Sequence, residues 1–211
     1  MFDFVMYFSI GIQFLPFLLL IFIKNSAFLK LRRALLVLGS ITIISDVLAL
    51  VCAPIYQNNN PIYHVYTILT GAVILSIFLS LFKDKLTKKS IQVMLTLFMT
   101  SAIYLFFHAQ GYLSNNVFSN CILSILIVLL SVLYFYKLGL EMQVENLFNN
   151  PQFLIVSSFL VFYGSTFYLL LFEDFIRSEN YNLLNYTWPI HFISTIIYNL
   201  ILARGVWKMK N

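Results

Sequence analysis

Residues 34–56 read ALLVLGSITIISDVLALVCAPIY, from Ala34 to Tyr56, and follow Lys30, Arg32 and Arg33. A helix of this length covers about 34 Å at 1.5 Å per residue, enough for a hydrocarbon core of about 30 Å. Asp46 is the one charged side chain in the stretch. So long an apolar run predicts a membrane-crossing helix, and the basic residues before it mark an interface. Read outward from here, the chain repeats the pattern at 4–23, 62–82, 90–110, 117–138, 152–172 and 187–207. The expected fold is all-α, a bundle of seven transmembrane helices forming one domain over residues 1–211.

Composition agrees. The chain is 61% hydrophobic and 10% charged, with mean hydropathy +0.88, whereas soluble domains carry about 25% charged residues. Seven spans with short connections leave no room in 211 residues for an extramembrane catalytic fold, a nucleotide-binding domain or a DNA-reading module. The first stretch lacks a basic leader and a small-residue cleavage site, so it reads as a retained span. Pro61 and Pro189 fall where a first helical turn is expected, a position that tolerates proline. Asn58-Asn59-Asn60-Pro61 and Asn149-Asn150-Pro151 read as turns. Cys52 and Cys121, in apolar helices, read as buried thiols more than as a bridge.

The net charge of +5 does not point to nucleic acid, because the basic residues sit at helix ends. Lys24, Lys30, Arg32 and Arg33 follow span 1. Lys83, Lys85, Lys88 and Lys89 follow span 3, Lys137 follows span 5, and Arg204, Lys208 and Lys210 close the chain. The alternate gaps hold only Arg177. The positive-inside rule then places the N-terminus outside and the C-terminus in the cytoplasm. The outer gap 173–186 is acidic and aromatic, with Glu173, Asp174, Glu179, Tyr181 and Tyr186. The basic loops set topology, and they also suit anionic headgroups or an acidic cytoplasmic partner.

Several polar residues lie where lipid disfavours them. Asp46 is about 12 residues into its span, roughly 18 Å along the axis, so it is expected to face the bundle and find a partner. Gln13 and Asn199 lie at similar depth, and the three form an expected mid-membrane polar network. Gly39, Thr42, Asp46, Ala49 and Ala53 share one face, small enough to admit a neighbouring helix. His64, His108 and His191 fall on three different spans, all toward the outer side, with His64 and His191 in first helical turns. Tyr56, Tyr66, Gln110, Asn120, Tyr168, Glu173 and Trp188 add polar weight at the same level. The expectation is an aromatic, polar cavity lined by His64, His108, His191, Tyr56, Tyr168 and Trp188 that binds a ligand from outside. No local His spacing preorganises a metal site, so no metal and no cofactor are expected.

Three stretches carry a resemblance: Tyr63-His64-Val65-Tyr66-Thr67, Asn150-Pro151-Gln152-Phe153 ahead of a Phe-Tyr-Gly span, and Trp188-Pro189-Ile190-His191. Over spans 3, 6 and 7 the chain resembles small seven-helix integral membrane proteins of Bacteroidota-type bacteria. Some of those look like sensor modules that work with histidine kinases. That resemblance implies an acidic residue three positions after Thr67, where this chain has Thr70. Other seven-helix groups fit less well. A retinal protein carries a Lys in the last span, where this chain has none before Lys208. Ceramidase-like and progestin-receptor-like hydrolases carry two histidines there, where only His191 is available. Sugar-transporting seven-helix proteins show a triple-helix repeat that this chain lacks.

The expected function is therefore a receptor-like or sensory module of a bacterial inner membrane, non-enzymatic, embedded in the lipid bilayer. It takes a small or lipidic ligand, or a partner, from the outer side and meets a cytoplasmic signalling protein at its basic loops. The alternatives are a small proton- or cation-coupled transporter using Asp46 and a metal-dependent membrane lipid hydrolase using the histidines.

Overall fold

The computed structural model describes residues 2–23, 26–56, 58–109, 113–114, 116–141, 146–179 and 181–210; within these, the side chains at 2–3, 26, 53–54, 56, 109, 141, 168, 173–179 and 181–187 lie outside the description. The described chain is helical, without a strand. The helices are α1 (Phe2–Ile12), α2 (Phe14–Phe22), α3 (Leu29–Tyr56), α4 (Asn60–Leu81), α5 (Lys85–Tyr104), α6 (Val117–Glu141), α7 (Pro151–Glu179) and α8 (Tyr181–Lys208). A π-helical turn, Leu105–Ala109, extends α5. Seven stretches are long and apolar enough to cross a bilayer, as a multi-pass membrane protein requires.

Differences from the sequence expectation have physical causes. The first span is two helices that meet at Gln13. Pro16 has no N–H to give the Ile12 carbonyl, which interrupts the hydrogen-bond ladder there. α3 starts at Leu29, earlier than the apolar run, because Lys30, Arg32 and Arg33 are good helix formers whose stems lie along apolar surface. The gap 173–186 is not a loop, since α7 runs to Glu179 and α8 starts at Tyr181. No Gly or Pro lies between Gly164 and Pro189 to stop a helix. Pro189 is consequently inside α8 rather than in its first turn. Pro61 does occupy the first turn of α4.

Contacts divide the chain into two compact units. The first comprises Met1–Leu29 and Ser124–Asn211. In it α7 and α8 pack together, and α1 and α2 pack on α8. Leu154, Ile155, Phe159, Leu202, Val206 and Met209 fill its core. Gly205 sets the α7–α8 spacing: a Cβ there would lie 3.1 Å from Ile155 Cγ1 and 3.3 Å from the Ile155 backbone nitrogen. The second unit is Lys30–Leu123, with Ile74, Leu75, Phe78, Ile91, Phe98 and Leu123 wholly buried. Gly71 of α4 lies against the Phe98 ring of α5, and a Cβ there would also come within 3.1 Å of Leu123 Cδ1 of α6. Between membrane helices such close packing replaces the hydrophobic effect as the source of cohesion.

Candidate functional site

The second unit builds its most polar region at the start of α4. Asn58 folds back on its own turn, its Oδ1 accepting from the Asn60 N–H at 2.9 Å. The Asn58 and Asn60 carboxamides both donate to the Leu113 carbonyl, at 3.1 and 2.8 Å. This ties the turn before α4 to the turn before α6. His64 Nε2 donates to the Ser114 carbonyl at 3.1 Å. A carbonyl only accepts, so the Nε2 proton is fixed and Nδ1 of the neutral ring is left as an acceptor. The ring is 1% exposed, with Phe106 edge-on at 5.4 Å.

One turn further, Thr67 links α4 to α6. Its hydroxyl lies 2.8 Å from Asn120 Oδ1 and 2.9 Å from the Tyr63 carbonyl, sharing one proton between them. Asn116 Nδ2 donates to Thr67 Oγ1 at 2.7 Å and to the Tyr63 carbonyl at 3.1 Å. Thr70 Oγ1 donates to the Tyr66 carbonyl at 2.7 Å. Among the described residues, two atoms in this knot have no hydrogen-bond partner: Asn116 Oδ1 and Ser119 Oγ, both sealed from solvent. A buried polar atom left unpaired costs about 1–3 kcal/mol, so the arrangement stores free energy.

The other flank of α4 meets α3. The Tyr66 hydroxyl is hydrogen-bonded to Thr42, and Asp46 acts electrostatically on the hydroxyls of Tyr66 and Tyr63. Thr42 in turn donates to the Leu38 carbonyl at 3.1 Å. Asp46 is half-buried and lies six residues before Cys52 in the apolar stretch Leu29–Cys52.

The expected ligand-binding residues fall in both units. In the second, His64 is buried and His108 is exposed beside Tyr104, with ring centroids 5.3 Å apart. The π turn separates them: it presents Phe106 to His64 and directs His108 outward. In the first unit, His191 is half-buried among Phe162 at 5.7 Å, Trp188 at 5.7 Å and Phe192 at 6.0 Å. It is ten residues into α8, so a helix terminus does not bear on it as expected. Tyr56, Tyr168, Gln110 and Glu173 have side chains outside the described residues.

The expected network divides the same way. Gln13 and Asn199 belong to the first unit and Asp46 to the second. Asn199 is buried and donates to the Thr195 carbonyl at 2.8 Å. Among the described residues, Gln13 Oε1 is buried without a hydrogen-bond partner. Among the described residues no three His, Cys, Asp or Glu side chains come together as metal ligands. Cys52 and Cys121 are unbridged.

Sequence reading missed Thr67, Asn116 and Ser119 as site residues. The signal was present as spacing: 63, 64 and 67 share one face of α4, while 119 and 120 follow Asn116 by three and four residues in the first turn of α6. No family model, curated protein or solved structure matches this chain.

Proposed function

We propose that the chain is a receptor-like or sensory module of a bacterial cytoplasmic membrane, taking a small or lipidic ligand from the outer side at the His64 end of α4. One observation carries this reading. α4 is held by polar contacts on both flanks, to α6 through Thr67, Asn116 and Asn120 and to α3 through Tyr66 and Thr42, with Asp46 near enough to act electrostatically on Tyr66. A ligand that breaks or completes contacts at the first flank shifts a helix that bears on Asp46. A signal requires two states with different ligand contacts, and a knot containing unpaired polar atoms supplies a reason for a second state.

Charge supports the direction. Lys30, Arg33, Lys83, Lys85 and Lys89 are exposed at the opposite ends of α3, α4 and α5. They suit an acidic cytoplasmic signalling protein. The His191, Trp188 and Phe162 cluster in the first unit is a separate aromatic candidate for ligand contact.

The test is solvent extraction and mass spectrometry of protein purified from its native membrane, alongside metal analysis. The expected result is one organic compound at near-stoichiometric amount, lost in a His64→Ala protein that still unfolds cooperatively. Near-stoichiometric zinc or iron lost in His64→Ala would replace the receptor reading with a metal-dependent hydrolase. Solute uptake into proteoliposomes that depends on pH and vanishes in Asp46→Asn would replace it with a transporter.

A further inference from the structure

Asn116, just before α6, donates to Thr67 Oγ1 and the Tyr63 carbonyl of α4; Ser119 follows three residues on, in the first turn of α6, and the two are 6% and 2% exposed. Their unpaired atoms differ in kind. Asn116 Oδ1 only accepts hydrogen bonds, while the Ser119 hydroxyl both donates and accepts. Nδ1 of neutral His64 adds a further acceptor. The stretches that form this region, 58–82 and 113–136, contain no Lys, Arg, Asp or Glu. Asp46, the charged group that bears on this part of α4, acts on the Tyr63 and Tyr66 hydroxyls.

We infer that the head of α6 and the His64 face of α4 form a site for an uncharged, hydroxyl-bearing group held by Asn116 and Ser119. This rests on the receptor-like reading and names its ligand chemistry. A hydroxyl donates to Asn116 Oδ1 and accepts from Ser119, and a neighbouring hydroxyl on the same ligand donates to His64 Nδ1. A carboxylate or phosphate brings only acceptors and meets Asn116 Oδ1 acceptor to acceptor. An ammonium brings a charge with no counter-charge in these stretches, which the membrane interior penalises.

Two sources carry this chemistry: the headgroup of a neutral acylglycerol and a free polyol. The surroundings suit the first. Leu113, Phe118, Val65 and Ile122, on or beside the same helices, are exposed and offer apolar surface to acyl chains. Because both unpaired atoms are sealed, the group enters only when the Leu113–Ser114 turn releases Asn58, Asn60 and His64. Ligand hydrogen bonds then replace those given up.

The test is the thermal unfolding midpoint of the full chain in an amine-oxide detergent, whose headgroup has no hydroxyl. It is titrated with 1-monooleoylglycerol, glycerol, methyl oleate or dioleoylphosphatidic acid. A saturable rise of about a few °C is expected with 1-monooleoylglycerol and not with methyl oleate. Asn116→Ala and Ser119→Ala should each raise the half-maximal concentration roughly tenfold, equivalent to one lost hydrogen bond, and Ser119→Thr should restore it. An equal rise with glycerol at matched concentration assigns the site to free polyols and keeps the chemistry. A rise with phosphatidic acid alone, lost in Asn116→Ala, overturns the uncharged class and leaves the receptor reading standing. No rise with either hydroxyl probe overturns the inference, and the compound extracted from native membranes then decides the receptor reading separately.

Discussion

Thr67 concentrates the polar contacts between α4 and α6 in one hydroxyl, which receives from Asn116 and faces both Asn120 and the Tyr63 carbonyl. Valine keeps its shape and removes every one of those bonds, leaving the buried Asn116 and half-buried Asn120 carboxamides without it. Thr67→Val is expected to destabilise the protein by about 1–3 kcal/mol, with Thr67→Ser close to the parent, measured by thermal unfolding in detergent. Tyr66→Phe, which removes the hydroxyl bonded to Thr42 and acted on by Asp46, is expected to lower stability by about 0.5–1.5 kcal/mol. Asp46→Asn should reduce that effect if carboxylate and hydroxyl act on each other. Additive losses in the double variant would show that Asp46 is held elsewhere. The sequence marked Asp46 because a carboxylate in an apolar run demands a partner. It did not pair Asp46 with Tyr63 and Tyr66, because helical periodicity shows which residues share a face and not which helix that face meets. Gln13 and Asn199 were chosen on depth alone, and depth is common to every span.

At the scale of the elements, apolar length located all seven crossing segments, while the ends were set by something else. α3 and α7 overrun their apolar stretches because helix-forming charged residues continue them and no Gly or Pro intervenes. The π turn at Leu105–Ala109 has no signature in hydropathy, yet it decides that Phe106 and not His108 faces His64. Glycines show how closely the helices approach. A methyl at Gly71 would overlap the Phe98 ring, which is itself 1% exposed and has nowhere to move. Gly71→Ala is therefore expected to destabilise by about 1–3 kcal/mol through overpacking. Gly139, also within a helix, has nothing within 4 Å of a Cβ, so Gly139→Ala should stabilise by about 0.5–1 kcal/mol through helix propensity. Thermal unfolding of the two variants side by side checks both signs, and similar shifts in the same direction would show that α4 and α5 do not pack as described.

Across the whole molecule, the distribution of Lys and Arg makes the strongest claim, because the cost of moving positive charge outward fixes the sense in which helices insert. Asn59 lies at one end of the second unit, between α3 and α4, and Leu86 at the other, in the first turn of α5 and largely exposed. In a Cys52→Ala, Cys121→Ala background, Asn59→Cys should react with a membrane-impermeant maleimide in intact spheroplasts. Leu86→Cys should react only after permeabilisation. Replacing Lys83, Lys85, Lys88 and Lys89 with Gln should make the labelling mixed, since that turn then loses the bias that holds it inside. The reverse pattern in the parent background would put the His64 knot on the cytoplasmic side. A ligand from outside would then have no route to Asn116 and Ser119, and the basic ends of α3, α4 and α5 would face away from any cytoplasmic partner. Orientation thus bears on the function as much as on the fold: the same α4–α6 contacts serve an outward-facing receptor only if residues 58–64 and 113–120 lie beyond the outer half of the bilayer or within it.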